Sequence, residues 1–399
     1  MKTYQAGLLT TAPGTHRLDN NTKRIDDYRV VKESKRASVD LPFLSLTLLL
    51  LTIGVVMVLS ASFARSYYTS GNPMEYFSSQ TLFAATGVLL MLVVSKIRLS
   101  VYMRTALPLF IISVLLLAAV PIIGVKSGGS QRWISLGFTT FQPSEIVKFA
   151  EVLLFANMIC AYKDKMKTFK YGVAPFVLVV VVIVGLLYLQ PHLSASVIVV
   201  LIAGIMMFAG GTKVRWFGLA IIVIAAVAYI TLTQVDYAAE RVTAWQHPEA
   251  DPSDKGYQTL QSLYAIGSGG LLGQGIGQGR QKYLYLPEEH NDYIFSVVCE
   301  ELGYIGAILI LLLFALLIVR GFWLALHAKD RYSSLVVTGL TSLLAIQVFL
   351  NVAVVTNLLP STGISLPFFS SGGTALWIQL VEMGVILSVS RDIPIVKAG

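Results

Sequence analysis

The sequence predicts an all-α integral membrane protein with about ten transmembrane helices. Three observations predict it. Of 399 residues, 55% are hydrophobic and only 13% charged, against about 25% charged in ordinary soluble domains. Mean hydropathy is +0.71. Apolar stretches of the ~20 residues needed to cross ~30 Å of hydrocarbon recur along the whole chain.

Taken in order, residues 1–40 form a polar, charge-mixed arm holding eight Lys and Arg, a composition that reads as disordered. The arm precedes the first apolar run, so that run reads as an uncleaved anchor rather than a signal peptide. The spans follow as Leu41 to Phe63, Tyr76 to Ser95, Thr105 to Val125, Ser144 to Tyr162, Gly172 to Leu189, Leu193 to Gly210, Trp216 to Val235, Tyr293 to Arg320, Ser333 to Asn357 and Gly372 to Ser390. Basic residues fall in alternate connections: Lys96, Arg98 and Arg104, then Lys163 to Lys170, then Lys213 and Arg215, then Arg320, Lys329 and Arg331, then Arg391 and Lys397. By the positive-inside rule both termini are cytoplasmic. Residues 41–390 then form one polytopic domain, 391–399 a short cytoplasmic tail, and 235–292 a long extracellular loop between the seventh and eighth spans. In that loop eight acids outnumber four bases, so the net charge of +8 is a topology signal and not a nucleic-acid footprint.

Soluble-enzyme signatures are absent. There is no Walker A pattern, HExxH, GxSxG or CxxC, and no inverted repeat with paired broken helices of the kind that marks a secondary transporter. Cys160 and Cys299 lie in apolar spans and read as small buried hydrophobes. The glycines of GGLLGQGIGQG (Gly269 to Gly279) lack the GxGxxG spacing and read as a flexible, close-packed loop.

Four polar clusters remain. The first, Ser127 to Glu151, is an external loop running into QPSE, a helix start that Ser144 can cap or Pro143 can open. Glu145, Lys148 and Glu151 then share one helical face, as an ion-pair ladder or as a substrate-facing cationic site at Lys148. The second is the hairpin LQPHLSAS (Leu189 to Ser196), in which His192 makes a structural hydrogen bond or takes part in chemistry. In the third, the long loop, Tyr257, Leu260, Leu263 and Tyr264 have the spacing of an amphipathic helix, lying on the membrane surface or packed beneath the loop. Downstream, Arg280, Gln281 and Lys282 precede LPEEHNDYIF (Leu286 to Phe295), where Glu288, Glu289 and Asp292 gather at the entry to a span. Partial desolvation there raises a carboxylate's pKa and makes it a better base. The fourth is NLLPSTGISLPFFSSGGTA (Asn357 to Ala375), too rich in proline, glycine and serine for a plain connector. Glu300, Glu301 and Glu382 are further acids inside spans, each a structural partner or a functional group.

From Leu41 to Ser390 the chain resembles the SEDS family (shape, elongation, division and sporulation), and its FtsW/SpoVE branch more than RodA. The likeness rests on SQRWISLG, on QPSE followed by Lys148, on YLPEEHNDYIF with EELGYIG after it, and on PSTGISLPFFSSGG. It implies a peptidoglycan glycosyltransferase that polymerises lipid II on the outer face of the bacterial cytoplasmic membrane, in division or sporulation. It also implies a single-span class B penicillin-binding protein as partner, alongside other division or sporulation membrane proteins. The family's essential aspartate falls on Asp292, its conserved arginine on Arg132, and its fourth-span pair on Glu145 and Lys148. Two positions depart: the hairpin written QPDLGT in the family is QPHLSA here, placing His192 where an acid is usual, and Ser371 stands where Tyr is common.

On this basis Asp292 is the expected general base. Arg132, Lys148, Arg241 and Lys282 are the expected diphosphate-binding cations, and Glu145, Gln281, Glu288 and Ser370 complete the expected substrate contacts. The resemblance fixes no cofactor, and a divalent cation, magnesium or manganese, is compatible with a diphosphate leaving group. A lipid II flippase and a non-catalytic division scaffold are the competing readings. The first needs polar groups through the midplane, and the second makes Asp292 dispensable.

Overall fold

The computed structural model describes residues 38–127, 130–135, 137, 139–222, 245–250 and 255–393. Helix α1 (Leu41–Ser70) starts at Asp40, whose carboxylate accepts the Phe43 amide, with Pro42 in the first turn. Helices α2 (Glu75–Val94) and α3 (Leu99–Ile123) follow. A small antiparallel sheet of order β1-β2-β3 comes next, with β1 at Val125–Ser127, β2 at Ser130–Ser135 and β3 at Thr140–Phe141. The all-α expectation missed it, because strands this short and polar leave no apolar run to read.

Helix α4 (Pro143–Tyr162) opens on Pro143 with Gln142 as its cap residue. Ser144 does not cap; its hydroxyl is buried without a partner among the described residues. Helix α5 (Ala174–Tyr188) follows a single helical turn, Phe169–Gly172, and α6 (Leu193–Ala209) returns beside it. Residues 214–222 are helical, and the rest of the expected Trp216 to Val235 span lies outside the described residues. Beyond it come α7 (Lys255–Ser268), α8 (Ile294–Leu326), α9 (Arg331–Val355) and α10 (Gly373–Ser390).

Among the described residues, seven helices are long and apolar enough to cross a membrane: α1, α2, α3, α5 with its preceding turn, α8, α9 and α10. Helix α6, with 17 residues, lies at the short end of what a crossing needs, and α4 has the length but carries Glu145, Lys148 and Glu151. Burial separates inner from outer helices. The apolar windows of α9 and α10 are 78% and 72% buried, those of α2 and α3 only 22% and 28%. The two inner helices pack on α4, α6, α8 and α2, so the polar side chains they carry face protein, as the cost of a polar group in hydrocarbon demands.

Helix α8 is broken once. Gly303 has φ 68 and ψ −173, a conformation that costs glycine little and other residues much. Before the break, residues 294–301 are buried all round; after it the outward face begins at Tyr304 and Ile305.

Candidate active site

The three acids before α8 meet different fates. Glu289 is fully buried and bonded in bidentate fashion by Arg65, Nε to Oε1 at 2.7 Å and Nη2 to Oε2 at 2.9 Å. Burial alone would raise its carboxyl, but the His290 ring, Nδ1 3.9 Å from Oε1, and the Arg65 hydrogen bonds outweigh that and hold it below the usual range. Glu288 is half-buried at φ 54, with the Asn291 amide 3.5 Å away. Asp292, also half-buried, is the one pushed upward. Burial first, and then the Glu288 charge, move its carboxyl from the ordinary 3.8 to about 6, against the opposing pull of the Ser365 hydroxyl and Arg132.

The last loop receives this aspartate. Ser365 Oγ lies 3.5 Å from Asp292 Oδ1. Gly363, at φ +68, lets the carboxylate come close: a Cβ there would stand 2.9 Å from Oδ2. Asn351 on α9 ties the two segments together, its Nδ2 donating to the Asp292 carbonyl at 2.8 Å and to the Ile364 carbonyl at 2.6 Å.

Gly363 and Ser365 also wall a polar cavity of about 50 Å³, room for a few waters. Its other walls include Glu145 and Lys148 of α4, His192 of the hairpin, Gln347 of α9 and Gln379 of α10. Lys148, 3% exposed, pairs with Glu145 at 2.8 Å. The ladder stops there: Glu151 is fully buried, and neither of its carboxylate oxygens has a hydrogen-bond partner among the described residues. Burial, then the charges of Arg132 and Lys148, push the His192 ring down to about 3, so it is neutral. Its Nε2 sits 3.4 Å from Gln142 Nε2, and its Nδ1 has no partner among the described residues. Arg132, on β2, donates from Nε to the Gln190 carbonyl at 3.4 Å and from Nη2 to the Pro191 carbonyl, clamping the hairpin.

The other expected residues lie elsewhere. Lys282 is buried against α1 and α8, its Nζ 2.7 Å from Glu301 and 3.0 Å from Ser60. Glu300 beside it accepts the amides of Arg280 at 2.8 Å and Gln281 at 3.3 Å. The half-buried Gln281 thus belongs to the same cluster. Ser370 braces the last loop, accepting the Leu366 amide at 2.7 Å and donating to the Asn291 carbonyl at 2.9 Å. Arg241 lies outside the described residues. Sequence reasoning did not single out Arg65, Asn351, Gly363, Ser365, Gln347 or Gln379. The available signal was a lone polar residue inside an apolar helix, which fits Asn351, Gln347 and Gln379.

Helix rise supplies a ruler. Arg320 and Asp40 form an ion pair, 2.5 Å from Nη2 to Oδ2, at one end of α1 and α8. From Asp40 to Ser60 along α1 is about 30 Å at 1.5 Å per residue, and Ser60 bonds Glu301 at 2.7 Å. From Asp330, the cap of α9, to Asn351 is again about 30 Å. The Lys282–Glu301 cluster and the Asp292 site therefore stand one hydrocarbon thickness from the Asp40–Arg320 end.

Fold and site together define a multi-pass helical membrane protein with a polar, carboxylate-bearing site at one end of its bundle. A family model for FtsW, RodA and SpoVE, described as cell cycle protein, matches residues 41–393. The chain is 39% identical over 361 residues to stage V sporulation protein E of Bacillus subtilis (strain 168), covering 90% of this chain and 98% of that protein. It is 39% identical over 354 residues to a protein named "Probable peptidoglycan glycosyltransferase FtsW" from Geobacter sp. (strain M18), with 88% and 96% covered. A chain from a structure described as the structural coordination of polymerization and crosslinking by a peptidoglycan synthase complex superposes with TM-score 0.74 at 28% identity, covering 89% of this chain and 98% of that one. The crystal structure of the rod shape determining protein RodA of Thermus thermophilus matches with TM-score 0.66 at 27% identity, covering 89% and 97%. The chain belongs to the FtsW/RodA/SpoVE family.

Proposed function

We propose that this protein is a peptidoglycan glycosyltransferase that polymerises lipid II at the outer face of the bacterial cytoplasmic membrane. The observation that carries the reading is Asp292: a half-buried carboxyl raised to about 6, set against a flexible-backbone glycine and beside a polar cavity. A base with a pKa near the working pH is both ionised and willing to take a proton.

In the reaction, Asp292 accepts the proton of the 4-hydroxyl on the lipid II GlcNAc. That oxygen bonds to the anomeric carbon of the MurNAc at the lipid-linked end of the strand, as the bond from that carbon to the diphosphate breaks. Single displacement inverts the centre, converting an α-linked diphosphate sugar into a β-linked glycan. Diphosphate leaves without a proton, so one carboxylate suffices where hydrolytic glycosidases use two. Cations matter more on the leaving side. Arg132 and Lys148 are assigned there, with Arg241. Glu145 holds Lys148 in place. Glu288 tunes Asp292, and Ser370 braces the loop that receives it. Lys282 and Gln281 act at one remove, through the Glu301 and Glu300 cluster that anchors the segment leading to Asp292. Among the described residues no three His, Cys, Asp or Glu side chains gather as a metal site.

The same proposal takes ten spans, counting α4, α6 and the span that begins near Trp216, with both termini cytoplasmic, 235–292 extracellular, 1–40 a cytoplasmic arm and 391–399 a tail. A class B penicillin-binding protein is the proposed partner. The test is to incubate the purified chain with lipid II, with and without that transpeptidase, and to resolve glycan products. Wild-type protein is expected to form polymer and Asp292→Asn none. Polymer formed by the Asn variant at the wild-type rate would reject the assignment. Transbilayer movement of lipid II without polymer would establish a flippase instead.

A further inference from the structure

The glycine-rich segment before Arg280 is not used by the proposed chemistry, yet it is tightly bonded to α8. The break at Gly303 interrupts the helical ladder, and this segment restores it. The amides of Tyr304 and Ile305 donate to the carbonyls of Gly270 and Leu271 at 2.9 and 3.2 Å, while the carbonyls of Glu300 and Glu301 accept the amides of Gln274 and Gly275, each at 3.0 Å. Contact is backbone against backbone: a Cβ on Gly269 or Gly273 would overlap the Cys299 or Glu301 carbonyl. Non-helical chain is tolerated at membrane depth only when its polar groups are satisfied in this way.

Depth follows from the same bonds. Leu271 is level with Ile305, which lies 15 residues, about 22 Å, along α8 from Arg320. That is inside ~30 Å of hydrocarbon measured from the Asp40–Arg320 end. Yet Leu271, Leu272 and Ile276 are 69%, 80% and 59% exposed. Their surface continues the outward stripe of α8 through Ile305, Leu309 and Leu312. No charged residue occurs between Gly269 and Gly279, and the first that follows, Arg280, is exposed. Helix α7 leads into this segment. It turns Thr259, Ser262 and Ala265 inward, Ser262 Oγ lying 2.7 Å from Ser296 Oγ, and leaves Tyr264 57% exposed.

We propose that Gly269–Gly277 is a re-entrant wedge whose Leu271, Leu272 and Ile276 side chains insert among the acyl chains of the bilayer, while its backbone completes the broken helix α8. The wedge is thus a lipid-binding surface. It also screens the Lys282–Glu301 pair, which sits behind it, from hydrocarbon. Nothing in this assignment depends on the reaction catalysed.

The test uses the full chain, with Cys160→Ser and Cys299→Ala, in nanodiscs of phosphatidylethanolamine and phosphatidylglycerol. A nitroxide is placed at Leu272→Cys, and at Ile276→Cys as a second position should the first fail to fold, with Arg280→Cys as reference. Collisions with oxygen, which partitions into lipid, are compared with those of a water-soluble nickel chelate. The wedge predicts several-fold more oxygen than nickel collisions at 272 and 276, and the reverse at 280. Nickel access at 272 equal to that at 280 would place the segment in water and overturn the proposal. Low access to both reagents would show protein cover and overturn it equally. No turnover is measured, so the outcome stands whether or not the polymerase reading survives.

Discussion

Asp292→Asn separates stability from activity. The folded protein raises this carboxyl from 3.8 to about 6, so ionising it in the fold costs up to about 3 kcal/mol more than in the unfolded chain. The sign follows from linkage: between those two values the native state binds more protons than the unfolded state, and stability falls as pH rises. Below about pH 4 both states are protonated and the cost is absent; above about pH 6 it is fully present. The amide has the same shape without the charge. Asn at 292 is therefore expected to be more stable than wild type by about 2–3 kcal/mol at neutral pH, and no more stable near pH 4. Equilibrium unfolding in lipid nanodiscs at both pH values reads this directly, with polymerisation of lipid II measured on the same samples. A variant that is inactive but no more stable at neutral pH, or equally stabilised at both, would refute the claim that the fold strains this carboxylate.

Four further outcomes follow from the same geometry. The pH profile of polymerisation should show a limb near 6, falling about tenfold per pH unit below it; Glu288→Gln should move that limb to lower pH, because the Glu288 charge is one cause of the raised value, and His192, already neutral with a value near 3, should leave it in place when replaced by Asn. Arg65→Gln should cost about 2–4 kcal/mol by leaving Glu289 buried and unpaired; Glu289 is held below the usual range, so the loss should be full at neutral pH and fade as pH falls through that depressed value, as denaturation at two pH values would report. Lys282→Met should cost about 3–5 kcal/mol and the Lys282→Met/Glu301→Met pair much less, with substrate KM unchanged in the double variant; a large KM rise would instead make Lys282 a direct ligand. Gly363→Ala, with its Cβ 2.9 Å from Asp292 Oδ2 and a φ of +68, should cost about 1–2 kcal/mol and lower kcat at least tenfold, as denaturation and polymerisation of the same samples would report.

What could be read in advance follows from what leaves a local trace. Long apolar runs are local, so the seven helices long and apolar enough to cross a membrane were legible, as was the gathering of Glu288, Glu289 and Asp292 at the start of α8. Partnership is not local. Glu289 finds Arg65 across 224 residues, Glu301 finds Ser60 across 241, and nothing in either stretch names the other. Glu145, Lys148 and Glu151 looked equivalent by spacing, but only the first two meet, since a helix face specifies direction and not what lies opposite. Helix α7 was recognised from its apolar stripe, yet that stripe is the less buried side, because the neighbour it packs on presents Ser296 rather than a large apolar side chain. The break at Gly303 was hidden in an ordinary helical pattern, and with it the reason for two glycines that precede it by 34 and 30 residues: Gly269 and Gly273 let one backbone lie against another.

Asn351 gives the site a chemical lifetime. Both of its Nδ2 hydrogens are committed, one to the Asp292 carbonyl and one to that of Ile364. Hydrolysis of that single carboxamide, the slow ageing reaction of asparagine, would exchange the shared donor for a third oxygen and turn two attractions into two repulsions. The reaction needs the following amide nitrogen to swing onto the side chain, and the position resists it by lying within α9 with β-branched Val352 next in sequence. The protein thereby keeps its most perishable joint where the backbone cannot bend to break it.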